Sequence, residues 1–180
     1  MASRQPSRGI RKTFKIGDIM QIESLDLQIY SSKITQILPR EYQNCFPNEM
    51  KKHLLFRAIS GYYLYYYAVK DSVICYCFLK KNYFHKYTFM SKGDLIINPY
   101  YVAPEYRGNG IAKQLINQVL LYRPNPSARI WAVVEKKNVP SVKVLQKVGF
   151  TFKGPVETRH WRHHISQMET PLELWCFESA

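Results

Sequence analysis

Apolar and polar positions along the chain fall into two regimes. From Tyr62 to Leu79 aromatic and β-branched residues are nearly continuous, with Tyr62–Val69 and Val73–Leu79 separated only by Lys70-Asp71-Ser72. This is the pattern of two strands joined by a tight turn. Asp94–Val102 reads as a further strand with Pro99 inside it. Proline has no N–H to give a ladder, so a bulge or a splayed edge is expected there. Beyond it the spacing changes to a helical period. Gly110–Tyr122 puts Ile111, Ala112, Leu115, Ile116, Val119 and Leu120 on one face and is stopped by Pro124 and Pro126. Ile130–Val134 is a short buried strand, and Asn138–Val148 is a second helix stopped by Gly149. Phe150–Phe152 and Leu172–Phe177 read as closing strands.

Upstream, Ile16–Ser60 reads as mostly helical, with stops near Pro39 and Pro47. Within it Asn48 can cap a helix over Asn48–Ile59 that spaces Met50, Leu54, Leu55 and Ala58 along one side. The order is helices, a strand meander, then strand–helix–strand–helix–strand–strand. An α/β (mixed α+β) domain follows, one mixed sheet with helices on both faces. The length of 180 residues suits one such domain, residues 16–180, behind a basic arm over Met1–Lys15 that carries Arg4, Arg8, Arg11, Lys12 and Lys15. The arm is acid-poor, as transit peptides are, but the plainer reading is a loose basic segment.

Composition narrows the class. With 46% hydrophobic and 22% charged residues the chain is an ordinary globular protein. No apolar run approaches the roughly 18 residues of a membrane span, and a cytoplasmic location is expected. The four cysteines, Cys45, Cys75, Cys77 and Cys176, lack CxxC spacing and read as reduced thiols. Cys75 and Cys77 would share one face of a strand as buried structural residues. The net charge of +13 implies attraction to something anionic. Nucleic acid, a polyphosphate cofactor or an anionic acceptor would each serve.

The stretch from Tyr101 to Ala112, Tyr-Val-Ala-Pro-Glu-Tyr-Arg-Gly-Asn-Gly-Ile-Ala, follows a strand and opens a helix. Gly108 and Gly110 let the backbone turn tightly and approach a ligand. The first N–H groups of the helix have no partner of their own and, with the dipole, make an anion site. Arg107 adds positive charge. It is neither a Walker loop nor a dinucleotide GxGxxG turn, since the Gly-Lys-Ser/Thr run and the third glycine are missing.

Arg107-Gly108-Asn109-Gly110-Ile111-Ala112 resembles the acetyl-CoA loop of the GNAT superfamily of N-acetyltransferases, R/Q-x-x-G-x-G/A, and Val102-Ala103-Pro104-Glu105-Tyr106 resembles its lead-in. Asn138-x-x-Ser141-x-x-Val144-Leu145-x-x-x-Gly149-Phe150 resembles the second signature of that superfamily. The likeness spans about Asp94–Phe152. It implies a GNAT fold, a mostly antiparallel mixed sheet splayed at the coenzyme site. Acetyl-CoA is the implied co-substrate, with no metal. The pantetheine arm would pair with Tyr101, Val102 and Ala103. The pyrophosphate would sit on Arg107, Gly108, Asn109, Gly110, Ile111, Ala112 and Lys113. Asn138 would cap its helix and reach the pantetheine, and Ser141 would lie near the sulfur.

The implied reaction is direct attack of a neutral amine on the thioester. It needs a base, an oxyanion donor and a proton for the leaving thiolate. The Val102 N–H is the oxyanion candidate. Base candidates are Glu135, Glu105 and the pair Tyr100/Tyr101. Many GNAT enzymes deliver the proton from a tyrosine where this chain has Leu145. A branch that includes the ribosomal-protein N-terminal acetyltransferases shares N-x-x-S with an aliphatic residue at that place. Ser141, Tyr100 or water would then supply the proton.

Three functions stay open on the sequence. The favoured one is an N-acetyltransferase for a small amine, with an amino sugar suggested by a second likeness. Phe89-Met90-x-Lys92-x-Asp94, running on to Gly108, resembles GNAT proteins of bacterial surface-polysaccharide synthesis. The second is acetylation of a protein N-terminus or side chain. The third is a nucleic-acid-binding module on an idle GNAT fold, with Tyr62, Tyr63, Tyr65, Tyr66 and Tyr67 stacking bases. A homodimer is compatible with all three. His160, Trp161, His163 and His164 read as a polar loop at the acceptor mouth rather than a metal site.

Overall fold

The computed structural model of the protein describes residues 12–14, 25–32, 62–69, 72–82, 87–157 and 171–178. The strands are β1 (Lys12–Phe14), β2 (Leu25–Ser32), β3 (Tyr62–Val69), β4 (Ser72–Lys81), β5 (Leu95–Val102), β6 (Ile130–Glu135), β7 (Thr151–Pro155) and β8 (Leu172–Phe177). The helices are α1 (Ile111–Leu121) and α2 (Val139–Lys147). Among the described residues the strands form one sheet in the order β1-β2-β3-β4-β5-β6-β8-β7. Every neighbouring pair is antiparallel except β5–β6.

One expectation fails near the start. Leu25–Ser32, inside the segment read as helical, is a strand paired with Tyr62–Tyr67 of β3. Leu25, Leu27 and Ile29 alternate with Asp26 and Gln28, the two-residue period of a strand. Leu27 is buried in the main core. Lys12–Phe14, at the end of the basic segment, pairs with Leu25–Leu27. The helix expected over Asn48–Ile59, Cys45 and the histidine cluster lie outside the described residues.

The sheet packs on both faces. Tyr65, Tyr67, Cys75, Cys77 and Leu79 bury one face against Leu115, Val119 and Leu145 of the helices. Tyr62, Leu64, Tyr66, Tyr76 and Phe78 bury the other. Four of the five tyrosines weighed as a base-stacking platform, Tyr62, Tyr65, Tyr66 and Tyr67, are therefore inside the protein. A strand buried on both faces reads as a continuous apolar run, which is why β3 and β4 lack clear alternation.

A single carboxylate joins β5 to β6. Asp94, 6% exposed, is the one buried charged residue among those described. Its Oδ2 accepts from the Ser91 N–H at 2.8 Å, Arg129 Nη2 at 2.9 Å and Trp131 Nε1 at 2.8 Å, and its Oδ1 accepts from Arg129 Nε at 3.2 Å. The Arg129 carbonyl in turn accepts from the Leu95 N–H at 2.9 Å. These bonds set the parallel register in which Leu95 faces Ile130. Asp94→Ala strands the Arg129 Nε and the Trp131 indole N–H, while Arg129 Nη2 keeps its bond to Ser91 Oγ at 2.8 Å. It is expected to lower unfolding free energy by about 3 kcal/mol, the floor for a broken buried pair, because Arg129 is partly solvated. Asp94→Asn should cost less. Urea denaturation of the two variants checks this, and unchanged midpoints would contradict the role.

Candidate functional site

Parallel pairing of β5 with β6 covers Leu95↔Ile130, Ile96↔Trp131 and Ile97↔Ala132, and then ends. Past that point β5 stays with β4 while β6 stays with β8. The β4–β5 register also shifts there: Leu79 faces Ile97 but Cys77 faces Tyr100, so Asn98-Pro99 adds one residue to β5. The break falls where Pro99 lacks a donor, as the sequence predicts. The Ala103 N–H bonds the Ile74 carbonyl at 2.8 Å. In an antiparallel ladder, bonding positions alternate. Tyr101 and Ala103 therefore turn their polar backbone groups to β4, and Tyr100 and Val102 turn theirs to the gap.

The gap leads to the glycine loop. A 3₁₀ turn at Pro104–Tyr106 closes with Tyr106 N–H to Ala103 O at 2.9 Å and Arg107 N–H to Pro104 O at 3.2 Å. Gly108 and Gly110 have φ of +82° and +74°, where a side chain is strained. A Cβ on either would touch nothing within 4 Å, so the ground before the loop is open. Helix α1 starts on Gly110 with no side-chain cap, which leaves the first-turn N–H groups at Ile111, Ala112 and Lys113 free for an anion. The Ile111 side chain is buried and holds the turn on the core, while Lys113 is exposed. The Asn109 amide points back at the Tyr106 and Arg107 carbonyls at 3.5 and 3.4 Å. An open, uncapped, glycine-lined loop fits a pyrophosphate.

On the helix-bearing face, Tyr100 and Ser141 come together. Asn138 caps α2, its Oδ1 accepting from the Ser141 N–H at 3.3 Å, so the plain capping role expected for it is filled. Burial pushes the Tyr100 phenol up to about 12, and the neighbouring Ser141 side chain pulls the other way. The phenol oxygen is shielded from solvent and has no hydrogen bond of ordinary geometry among the described residues. Leu145, one turn after Ser141, is fully buried in the core and presents no acid. Cys75 and Cys77 lie directly opposite Val102 and Tyr100 on β4. Burial pushes both thiols far up, so they are packing groups.

Glu135 stands on the opposite face. Tyr101 faces Tyr76, whose β4 row continues through Phe78 to Lys80, and Lys80 faces Ile96 beside Trp131. Trp131, Val133 and Glu135 alternate along β6 on that same face. Glu135 is exposed and ion-paired with Lys137 at 3.5 Å. Glu105 is exposed in the turn. Tyr101 stacks on Tyr76 with ring centroids 5.3 Å apart. Arg107, expected to add charge at the phosphates, turns back onto β5: its Nε donates to the Val102 carbonyl at 3.0 Å, and its guanidinium lies 5.9 Å from the Tyr101 ring centre. The joint made by Asp94 between β5 and β6 is not among the sequence expectations. Its only signals were a lone acid before an apolar strand and an arginine placed the same way before Ile130.

A family model for the acetyltransferase (GNAT) family matches residues 31–150, which is 120 of the 180 residues. No curated protein sequence matches the chain. Solved structures share the fold at low identity. A GNAT family acetyltransferase from Elizabethkingia anophelis with acetyl-CoA bound is 16% identical, with a TM-score of 0.56 over 85% of this chain and 98% of that one. The IAA acetyltransferase from Bacillus cereus is 14% identical, with a TM-score of 0.57 over 85% and 99%. A structure from Bacillus anthracis named for streptothricin acetylation, with acetyl coenzyme A bound, is 20% identical, with a TM-score of 0.51. The match covers 66% of this chain and 63% of that one.

The loop geometry makes a charge test possible. Asn and Asp tolerate a left-handed backbone about equally and better than other side chains. Gly110→Asn and Gly110→Asp should fold alike, while coenzyme A binds the Asp variant about tenfold more weakly than the Asn variant. Calorimetry decides, and equal affinities would remove the anion from this loop.

Proposed function

The chain belongs to the GNAT family of acetyltransferases, and from that premise we propose that it transfers the acetyl group of acetyl-CoA to the amine of a small acceptor, an amino sugar being favoured. The observation that carries this reading is the open edge of β5 at Tyr100–Val102, set directly before the open glycine loop. An amide-bearing arm can pair with the gap-facing backbone while its diphosphate rests on the helix start.

The two faces then divide the proton work. On one face the Val102 N–H donates to the thioester oxygen as negative charge develops there. Ser141, with Tyr100 behind it, hands a proton to the departing thiolate. On the other face the ammonium loses its proton to Glu135, directly or through water, before its nitrogen attacks the thioester carbon, and the second nitrogen proton leaves to water as the amide forms. As the C–N bond forms the C–S bond breaks. Glu135 is already solvated and paired with Lys137, which suits a base reached through water. Support for an amino sugar comes from the Phe89–Gly108 likeness.

The chain with acetyl-CoA and a panel of free amino sugars, nucleotide-linked amino sugars, polyamines and peptides with free N-termini tests the assignment by thiol release. Turnover on an amino sugar supports it. Turnover on peptides alone would make the protein a peptide acetyltransferase, and no release with any amine would remove the transfer activity.

Two site predictions follow. Ser141→Ala should lower kcat about tenfold to a hundredfold with little change in coenzyme affinity, near the lower end of acid–base assistance. Full activity would leave water or Tyr100 as the donor, and a loss confined to coenzyme binding would make Ser141 a positioning residue. Because burial raises the Tyr100 pKa to about 12, its phenol keeps its proton throughout the working range. The kcat profile should therefore show no falling alkaline limb below about pH 10 from this group. A falling limb near neutrality that disappears in Tyr100→Phe would contradict that.

A further inference from the structure

We propose that Arg107 is a positioning residue for the acetyl donor, holding the Val102 peptide and so aiming the Val102 N–H, rather than a ligand of the pyrophosphate. This rests on the acetyltransferase reading above and deepens it at the same site.

The peptide joining Val102 to Ala103 is held at both ends. Its N–H donates to the Ile74 carbonyl at 2.8 Å, and its C=O accepts from Arg107 Nε at 3.0 Å. The same guanidinium lies 5.9 Å from the ring centre of Tyr101, which is itself stacked on Tyr76. Both contacts are with the last residues of β5. They exist because the 3₁₀ turn at Pro104–Tyr106 reverses the chain and brings Arg107 back beside the strand it has just left.

The position needs such a holder. Over most of a sheet each strand is fixed from both sides. At Val102 the neighbour β6 has diverged, and only β4 fixes the strand. The Arg107 Nε bonds on the open side. An oxyanion donor works by being aimed before the charge appears, so loss of this second anchor weakens the donor without removing it. Lysine keeps the charge of arginine but has no inner N–H and no planar fork, so it cannot reproduce the contact. The phosphate role does not require Arg107, because the free first-turn N–H groups and the open glycines already make an anion site.

Two donors separate the roles: acetyl-CoA and acetyl-pantetheine, which has the thioester and amides but no pyrophosphate. Arg107→Lys and Arg107→Gln should weaken binding of both by the same factor, about threefold to tenfold. With acetyl-CoA isotope-labelled at the thioester carbonyl, infrared spectra of the bound donor should show the carbonyl stretch lowered in the native chain. The stretch should return toward its free value in both variants. A loss of affinity for acetyl-CoA alone, with the lowered stretch retained, would make Arg107 a phosphate ligand and overturn the proposal. Unchanged affinities and an unchanged stretch would also overturn it. Failure of the native chain to bind acetyl-CoA at all would instead defeat the acetyltransferase reading, and this inference with it.

Discussion

The Asp94 carboxylate gathers the Ser91 N–H, the Nε and Nη2 donors of the Arg129 guanidinium and the Trp131 indole, and so ties the first residues of β5 to those of β6. Parallel pairing starts from that knot and runs for three residues before Pro99, with no N–H to give, interrupts the edge. The gap beyond is what the rest of the site depends on. A continuous ladder would bury the gap-facing groups of Tyr100 and Val102 in strand–strand bonds. A sheet without the knot would have no defined place to part. The guanidinium over the Trp131 ring, 5.4 Å from its centre, seats the pair in a partly solvated corner. The desolvation cost of the ion pair is thereby reduced.

Once the strands part, the pleat sorts the chemistry. Successive side chains of β5 face opposite ways, so Tyr100 meets Ser141 beneath the helices while Tyr101 meets Tyr76 on the other side. Glu135 at the end of β6 shares the Tyr101 side. A donor lying in the gap would have its leaving group served from one face and its incoming amine from the other. In the proposed reaction the two proton transfers would then not compete, and no residue would have to serve both.

Electrostatics act at two ranges. The charge of +13 draws a polyanion to the whole molecule. Close in, neutral groups dominate: an uncapped helix start, two glycines and free strand amides. Two charged side chains near the site are engaged with the protein. Arg107 is on Val102 and Tyr101, and Lys137 is on Glu135. Long-range attraction and local recognition thus rest on different atoms.

By itself the sequence determined the elements from Tyr62 onward, the glycine turn between β5 and α1 and the family. These depend on local rules: strand and helix periods, two glycines needing positive φ, and a proline that cannot donate. The alternation of Leu25, Leu27 and Ile29 is an equally local signal for β2, which a helical reading of Ile16–Ser60 overrides. Only the tertiary structure decided that Tyr100 and Ser141 meet, that Glu135 stands across the sheet from them, that Asp94 registers β5 on β6 and that Arg107 bends back to Val102. Each of these joins residues through the sheet register or through a reversing turn. Register is set by the whole ladder and its bulge, and no window of the sequence contains it.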